Sequence, residues 1–485
     1  MSVQPSIGLW MLMTLAVLII STGLPVWALL IGTASLFAAG GLALGVMDIR
    51  VVSAISGRTL GLLEHDLLQA LPLYVFIGVL LQRLPVADAV FSSLARLGRR
   101  TGAGTSLAAF GVGTLVAPMN GSVASSSALL ARLVAPRLGQ LEDASATALI
   151  SAAATIGVVV PPSLVLILLG DAMLRAHTEA SNLSGYVLGS QRIINTQDVF
   201  HAALLPAVCV LVLWLLVAWW QGRNFKVKHS VVPVKASQWV LSALLTTATL
   251  VLLGGVFLGK IYAVEAAATG GVVLIVTTLL SRALTWHQWR TVLTDTLNLS
   301  GALLALLVGA TTFSLVFRLW GTDHWIADLV LGSHWSPLLT AALVLVLVAL
   351  CAWVLDAFEM IFVIIPIVAP PLIVCLGDAQ QTAVLLLLVL QLSFLIPPMG
   401  YAVMMARSRS GVVNTSIWAT LRALLPYILM QCVITALVFM APWMVHQLDE
   451  PMGIVNQDAP VSAQDLDQQL RDMADQEPAM ETQKH

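Results

Sequence analysis

Fourteen apolar segments recur along the chain, at residues 7–22, 25–46, 67–82, 104–118, 122–136, 144–174, 199–220, 237–257, 261–281, 299–317, 338–354, 360–376, 380–406 and 424–446. At roughly 20 residues per helical crossing, the chain is long enough for about a dozen membrane segments. The composition agrees, since 59% of its 485 residues are hydrophobic and 10% are charged. Soluble domains are roughly one quarter charged, so little of this surface is built to face water. The expected class is an all-α, polytopic membrane protein. Trp10, Trp220, Trp239, Trp320, Trp335, Trp418 and Trp443 stand near segment ends, as an aromatic belt at the membrane–water boundary would place them.

Several chemistries find no material. Cys209, Cys351, Cys375 and Cys432 all fall in apolar runs without metal-ligand spacing and read as small buried side chains. The nine histidines are scattered, with no His-Glu-x-x-His pattern, so no transition-metal site, cofactor or hydrolytic centre is expected. The N-terminal run passes into the second through Thr22-Gly23-Leu24-Pro25, without a basic start or a small-residue cleavage site. It reads as a retained helix, and the first 46 residues make either two crossings or one bent helix. From Leu448 to His485, nine acids face only Arg471 and Lys484. That end reads as a solvated, disordered acidic tail.

The irregular segments carry the information. Segments 144–174 and 380–406 are too long and hold Pro-Pro in their middles, whereas the pairs 104–118/122–136 and 338–354/360–376 are short and joined by a few polar residues. A span of about 15 residues covers only part of a hydrocarbon core about 30 Å thick. Each short pair therefore reads as a re-entrant helical hairpin, whose tip must be enclosed by protein or face a water-filled cavity. With every other segment counted as one crossing, fifteen Lys and Arg residues collect on one face and eight on the other. The positive-inside rule makes the first face cytoplasmic and leaves the tail outside.

The two halves echo each other. Asn120 lies 41 residues before Pro161, and Asp356 lies 41 residues before Pro397. A hairpin opening from the cytoplasm and one opening from outside make the repeats inverted. Inverted repeats with broken helices point to a secondary transporter with its site near the midplane. The organisation expected is scaffold helices over 1–103, a first transport repeat over 104–175, scaffold and connecting helices over 199–317, a second repeat over 335–410, a final helix over 418–447 and the tail over 448–485.

Four motifs supply candidate site residues. At the first tip, the oxygens of Asn120, Ser122 and Ser125 suit a hard cation such as sodium, and Gly121 permits the turn. The start of the returning half-helix, with Ser126, favours a carboxylate. One or two of these serines also suit plain helix capping and close packing. In the first break, Thr155, Gly157, Pro161, Pro162 and Ser163 combine freed carbonyls with a new helix N-terminus, because proline removes a donor and clashes with the preceding turn. Ser393, Pro397, Pro398 and Gly400 repeat the device. At the second tip, Asp356 and Glu359 are three residues apart within an apolar stretch. An acid inside the membrane is costly and is a functional candidate by default. Either one ligates sodium while the other takes a proton or orients the tip, or both are solvated at an aqueous rim. No basic residue is placed at the midplane, which leaves half-helix N-termini to meet an anionic substrate.

At these motifs the sequence resembles the large membrane subunit of tripartite ATP-independent periplasmic (TRAP) transporters. The stretch from Ala152 to Asp171 is similar to that family's first broken-helix signature. Leu355-Asp356-Ala357-Phe358-Glu359 with Pro366-Ile367-Val368-Ala369-Pro370, and Gln391 through Gly400, resemble its mannitol/chloroaromatic-type branch. The resemblance reaches to about Val445. Ile396 stands where the family usually has Thr, and the first tip varies on the family's Gly/Ser-rich pattern.

The resemblance implies an elevator-type permease at the bacterial inner membrane, importing a small organic acid with a sodium or proton gradient. It further implies a separate small membrane subunit of about four helices and a periplasmic binding protein that delivers the substrate. The alternatives are a stand-alone sodium/dicarboxylate symporter and the permease of an ATP-driven importer. An intramembrane enzyme is disfavoured, because no convincing Ser–His or paired-aspartate arrangement occurs.

Overall fold

The computed structural model describes residues 5–48, 56–57, 59–61, 66–84, 86–97, 103–120, 123–134, 143–161, 163–183, 185–186, 194–223, 236–353, 355–397, 400–410 and 416–448. The described residues hold helices and no strands. In chain order the helices are α1 (Pro5–Thr22), α2 (Val26–Ala43), α3 (Asp66–Arg83), α4 (Val86–Leu97), α5 (Gly104–Asn120), α6 (Val123–Val134), α7 (Asp143–Val159), α8 (Leu164–Ala180) and α9 (Thr196–Gly222). They continue as α10 (Ala236–Phe257), α11 (Ala263–Ser281), α12 (Trp286–Leu319), α13 (Thr322–Leu331), α14 (Pro337–Ala352), α15 (Ala357–Leu376), α16 (Ala379–Ser393), α17 (Tyr401–Ser410) and α18 (Ile417–Met440). The acidic tail lies outside the described residues.

Among the described residues, six helices are long and apolar enough to cross a membrane, and eight if each bent pair is one span. The outward faces are apolar too: Leu36, Leu216, Val272, Leu297, Leu347 and Leu429 are all exposed. Water would not tolerate so much exposed apolar surface, whereas lipid tails are its natural solvent. The N-terminal 46 residues hold two helices, α1 and α2, which pack on each other. They separate at Gly23, whose φ is +61°, and at Pro25, which begins α2 without a donor to offer α1.

The centre is formed by the first halves of the two broken helices. Almost every residue of α7 and α16 is buried. Around them the contacts are reciprocal between the repeats. The outgoing hairpin arm α5 packs on α7, as α14 packs on α16. The return arm α6 of the first hairpin packs on α17, beyond the second break, and the return arm α15 packs on α8, beyond the first. The helix following each repeat, α9 or α18, packs against the opposite broken helix. Each repeat thus completes the other's surroundings, which is what a two-fold relation between them requires.

The structure departs from the sequence expectations in four places. The return arm α15 spans 20 residues rather than the 17 of segment 360–376. The residues read as a polar tip start the helix, because Glu359 caps it. Length alone therefore does not mark α15 as a re-entrant arm. Segment 67–82 does not end where its apolar run ends: α3 turns by 63° into α4, whose amphipathic pattern had no place in a list of apolar runs. Segment 299–317 belongs to α12, 34 residues long, which begins at a capping box of Thr285 and Gln288. At 1.5 Å per residue that helix is about 50 Å long and outreaches the hydrocarbon core. The short α13, between α12 and α14, also went unread.

Candidate functional site

The four sequence motifs fall into very different local settings. In the first hairpin, α5 ends at Asn120 and α6 begins at Val123, with Ser125 half-buried and Ser126 and Ser127 buried. Gly121 and Ser122 lie outside the described residues, as do Pro162 and Pro398 in the two breaks. Ser127 Oγ is buried with no hydrogen-bond partner among the described residues.

At the first break, α7 ends at Val159 and α8 starts at Leu164, with a 45° bend between them. Ser163 is the N-cap of α8: its hydroxyl accepts from the Leu166 N–H at 3.1 Å and donates to the Val158 carbonyl at 3.1 Å. The carbonyl that Pro162 cannot serve is therefore served by Ser163. Pro161 and Gly157 are buried beside it. Thr155 is fully buried, and its hydroxyl is turned back to the Ala152 carbonyl.

The second break closes on itself in the same way. The Ser393 carbonyl accepts from Ile396 N–H at 3.3 Å, and the Phe394 carbonyl accepts from Ala402 N–H at 3.2 Å. Both carbonyls released by the prolines are thus recaptured. The Ser393 hydroxyl donates to Val389 within its own helix at 2.8 Å. Gly400 makes the turn: a Cβ there would stand 2.7 Å from the carbonyl oxygens of both Ile396 and Phe394, with only rigid backbone to yield.

At the second tip, Asp356 is the N-cap of α15, and the Glu359 carboxylate accepts its backbone N–H at 3.1 Å. Glu359 is thus engaged in holding the tip. Asp356 Oδ1 is buried with no hydrogen-bond partner among the described residues. A buried carboxylate oxygen without a donor is costly unless a cation or proton reaches it. The Tyr401 phenol, just past the second break, lies within electrostatic range of both acids.

Three hydrogen bonds join these pieces. The Trp353 indole, before the second tip, donates to the Ile396 carbonyl at 2.7 Å. The Gln391 amide donates to the Thr155 carbonyl at 3.4 Å, linking the two broken helices. Gln431 of α18 donates to Gln391 Oε1 at 2.8 Å. Thr155 and Gln391 each stand six residues ahead of their Pro-Pro, at matching positions of the two repeats. Sequence reasoning assigned no role to Trp353, Gln391, Gln431 or Tyr401. The glutamines had a readable signal, since a primary amide in an apolar helix is expensive unless it is bonded. Trp353→Phe keeps an aromatic ring but removes the donor to Ile396. It is expected to cost about 1 kcal/mol, seen as a lowered melting temperature of the purified protein; an unchanged melt would show that the bond does not hold the tip.

Comparison with known proteins fits this geometry. The sequence profile of the tripartite ATP-independent periplasmic transporter, DctM component, matches residues 11–444. The chain belongs to this family. It is a DctM component, the large permease of a TRAP transporter, and its family is one of membrane transporters rather than enzymes. The sialic acid TRAP transporter large permease protein SiaM of Vibrio cholerae is 25% identical over 406 residues, covering 81% of this chain and 88% of the relative. The isethionate TRAP transporter permease protein DctMQ of Oleidesulfovibrio alaskensis is 23% identical over 381 residues, 74% of this chain. The matched part is 54% of that relative, so the chain spans about half its length. The crystal structure of the Alcanivorax borkumensis YdaH transporter superposes with a TM-score of 0.59 at 15% identity, over 91% of this chain and 99% of its own. That likeness shows the fold alone: a helical transporter fold.

Proposed function

We propose that this DctM component imports a small organic acid across the bacterial inner membrane, driven by a sodium gradient. Its partners are a small four-helix membrane subunit and a periplasmic binding protein that delivers the substrate. One observation carries the reading most directly: the buried Oδ1 of the Asp356 carboxylate has no partner among the described residues, at a hairpin tip tied through Trp353 and Ile396 to a broken helix. An anionic oxygen held out of water is a ligand in search of a cation.

In this scheme Asp356, with Asn120, Gly121, Ser122, Ser125 and Ser393, supplies oxygens to the coupling ion. Glu359 orients the tip. The half-helix N-terminus at Ser163, with Ser126, Thr155, Gly157, Pro161, Pro162, Pro397, Pro398 and Gly400 around it, receives the substrate. Positive helix ends suit an anion, and both relatives are named for anionic substrates, a carboxylate and a sulfonate. The paired repeats (104–175 and 335–410) move as one body against α1–α4, α9–α12 and α18, in elevator fashion. The C-terminal tail faces the periplasm. The departure at Ile396, which lacks a hydroxyl, keeps a proton as the second reading for the coupling ion.

The test is uptake by proteoliposomes holding this chain and the small subunit, using sialic acid, succinate and isethionate as probes. Accumulation is expected only with an inward sodium gradient and the binding protein outside. A proton gradient that suffices without sodium would replace the ion. Uptake by this chain alone would make it a stand-alone symporter and end the tripartite reading.

A further inference from the structure

Two chambers of about 310 and 290 Å³ lie side by side between α8, α15 and the end of α12 that runs into α13. Glu179, Arg318 and Pro366 line both. The ion pair between Glu179 of α8 and Arg318 of α12 therefore stands in the wall that separates them. On the charge scheme of the sequence, this is the outer side of the membrane.

The faces that meet there are polar by design of spacing. Asp171, Arg175 and Glu179 recur every four residues and share one face of α8. Thr311, Ser314 and Arg318 share one face of α12 and line the first chamber. Asp171 is already held by Arg175 at 2.7 Å. Arg318 and Glu179 keep 27% and 30% of their side-chain surface open, so the pair faces the chambers rather than being packed away.

We propose that Arg318 is the first group to meet the carboxylate (or sulfonate) of the incoming acid, ahead of the half-helix N-terminus at Ser163, and that Glu179 holds its place until the acid arrives. This rests on the organic-acid reading above and deepens it. An arginine presents a planar fork of donors that matches a carboxylate in two-point geometry. Replacing the Glu179 carboxylate by the substrate's own leaves Arg318 paired throughout the exchange. The released Glu179 turns into a chamber that already contains Arg175. With the wall opened the two chambers join, and a small acid gains a path between α8 and α12.

The experiment measures KM and maximal uptake rate in proteoliposomes holding the chain, its small subunit and the binding protein, with sialic acid, succinate and isethionate as probes. Glu179→Gln removes the competing carboxylate and is expected to lower KM about threefold. Arg318→Gln removes the receiver and is expected to raise KM about tenfold, with Arg318→Lys between it and the unaltered protein. A purely structural pair would move both variants the same way, or neither, and that result overturns the proposal. If Arg318→Gln does not fold, Glu179→Gln decides alone: a KM unchanged or raised is the overturning result. Uptake by the unaltered complex without the opposite shifts defeats only this proposal. Uptake of none of the three acids defeats the organic-acid reading and this proposal with it.

Discussion

Asp356→Asn is expected to cut ion-coupled uptake about 100-fold, because taking the charge from the carboxylate proposed to pair with the coupling ion costs on the order of 3 kcal/mol. The substitution is nearly isosteric, and asparagine is as good an N-cap as aspartate. The start of α15 and its bond from Asp356 N–H to Glu359 are therefore retained, and only the charge at Oδ1 is lost. Melting behaviour of the purified variant should match the unaltered protein, which separates a lost ligand from a lost fold. Sodium-dependent uptake at the unaltered level would remove Asp356 from the ion site. Glu359→Gln is the companion measurement. Glutamine can accept the same backbone N–H, so the tip stays capped. If Glu359 serves only as the cap, this variant transports normally; if uptake collapses, Glu359 is also a ligand or proton carrier.

Gly113→Ala is expected to destabilise the protein by about 3 kcal/mol or more, beyond the usual cost of overpacking a core. Gly113 sits on α5, where the first hairpin lies against α7. A Cβ at this position would stand 2.3 Å from the backbone oxygen of Ala153, and 3.2 Å from the Ile156 side chain. The obstacle is backbone of a fully buried helix, so it cannot swing aside as a side chain would. Small residues allow helices to approach this closely in membranes, where packing rather than hydrophobic burial drives association. The variant should lose its monodisperse peak in size-exclusion chromatography and melt well below the unaltered protein. An unchanged melt would mean that α5 can slide off α7 at little cost. The first hairpin would then be loosely held.

Much of the architecture was readable because lipid imposes strict rules on a chain. Apolar length announces helices, but the first 46 residues allow either two helices or one bent one, and the structure divides α1 from α2 at Gly23 and Pro25. The Pro-Pro pairs of segments 144–174 and 380–406 coincide with breaks, whereas Pro370-Pro371 stands inside the continuous α15, so paired prolines alone do not dictate a break. The same rules explain the misses. Amphipathic α4 and the extra turns at the start of α12 are helical without being apolar, so a search for apolar runs passes over them. Which of Asp356 and Glu359 orients the tip stays open in the sequence, because the bond from Asp356 N–H to Glu359 is a matter of backbone conformation.

The sequence by itself determined that this is a helical membrane protein with two matched, broken halves, because segment length, proline and the cost of intramembrane acids are local properties. It also indicated the family, through motifs of a few consecutive residues. Only the tertiary structure decided which polar groups remain open. It closed the carbonyls of Val158, Ser393 and Phe394 with nearby donors, and it left Asp356 Oδ1 and Ser127 Oγ buried without one among the described residues. It also brought Gln391 to Thr155 and Arg318 to Glu179, residues 236 and 139 positions apart. Hydrogen bonds and ion pairs are satisfied in space, so their partners are set by how the two repeats fold around one another.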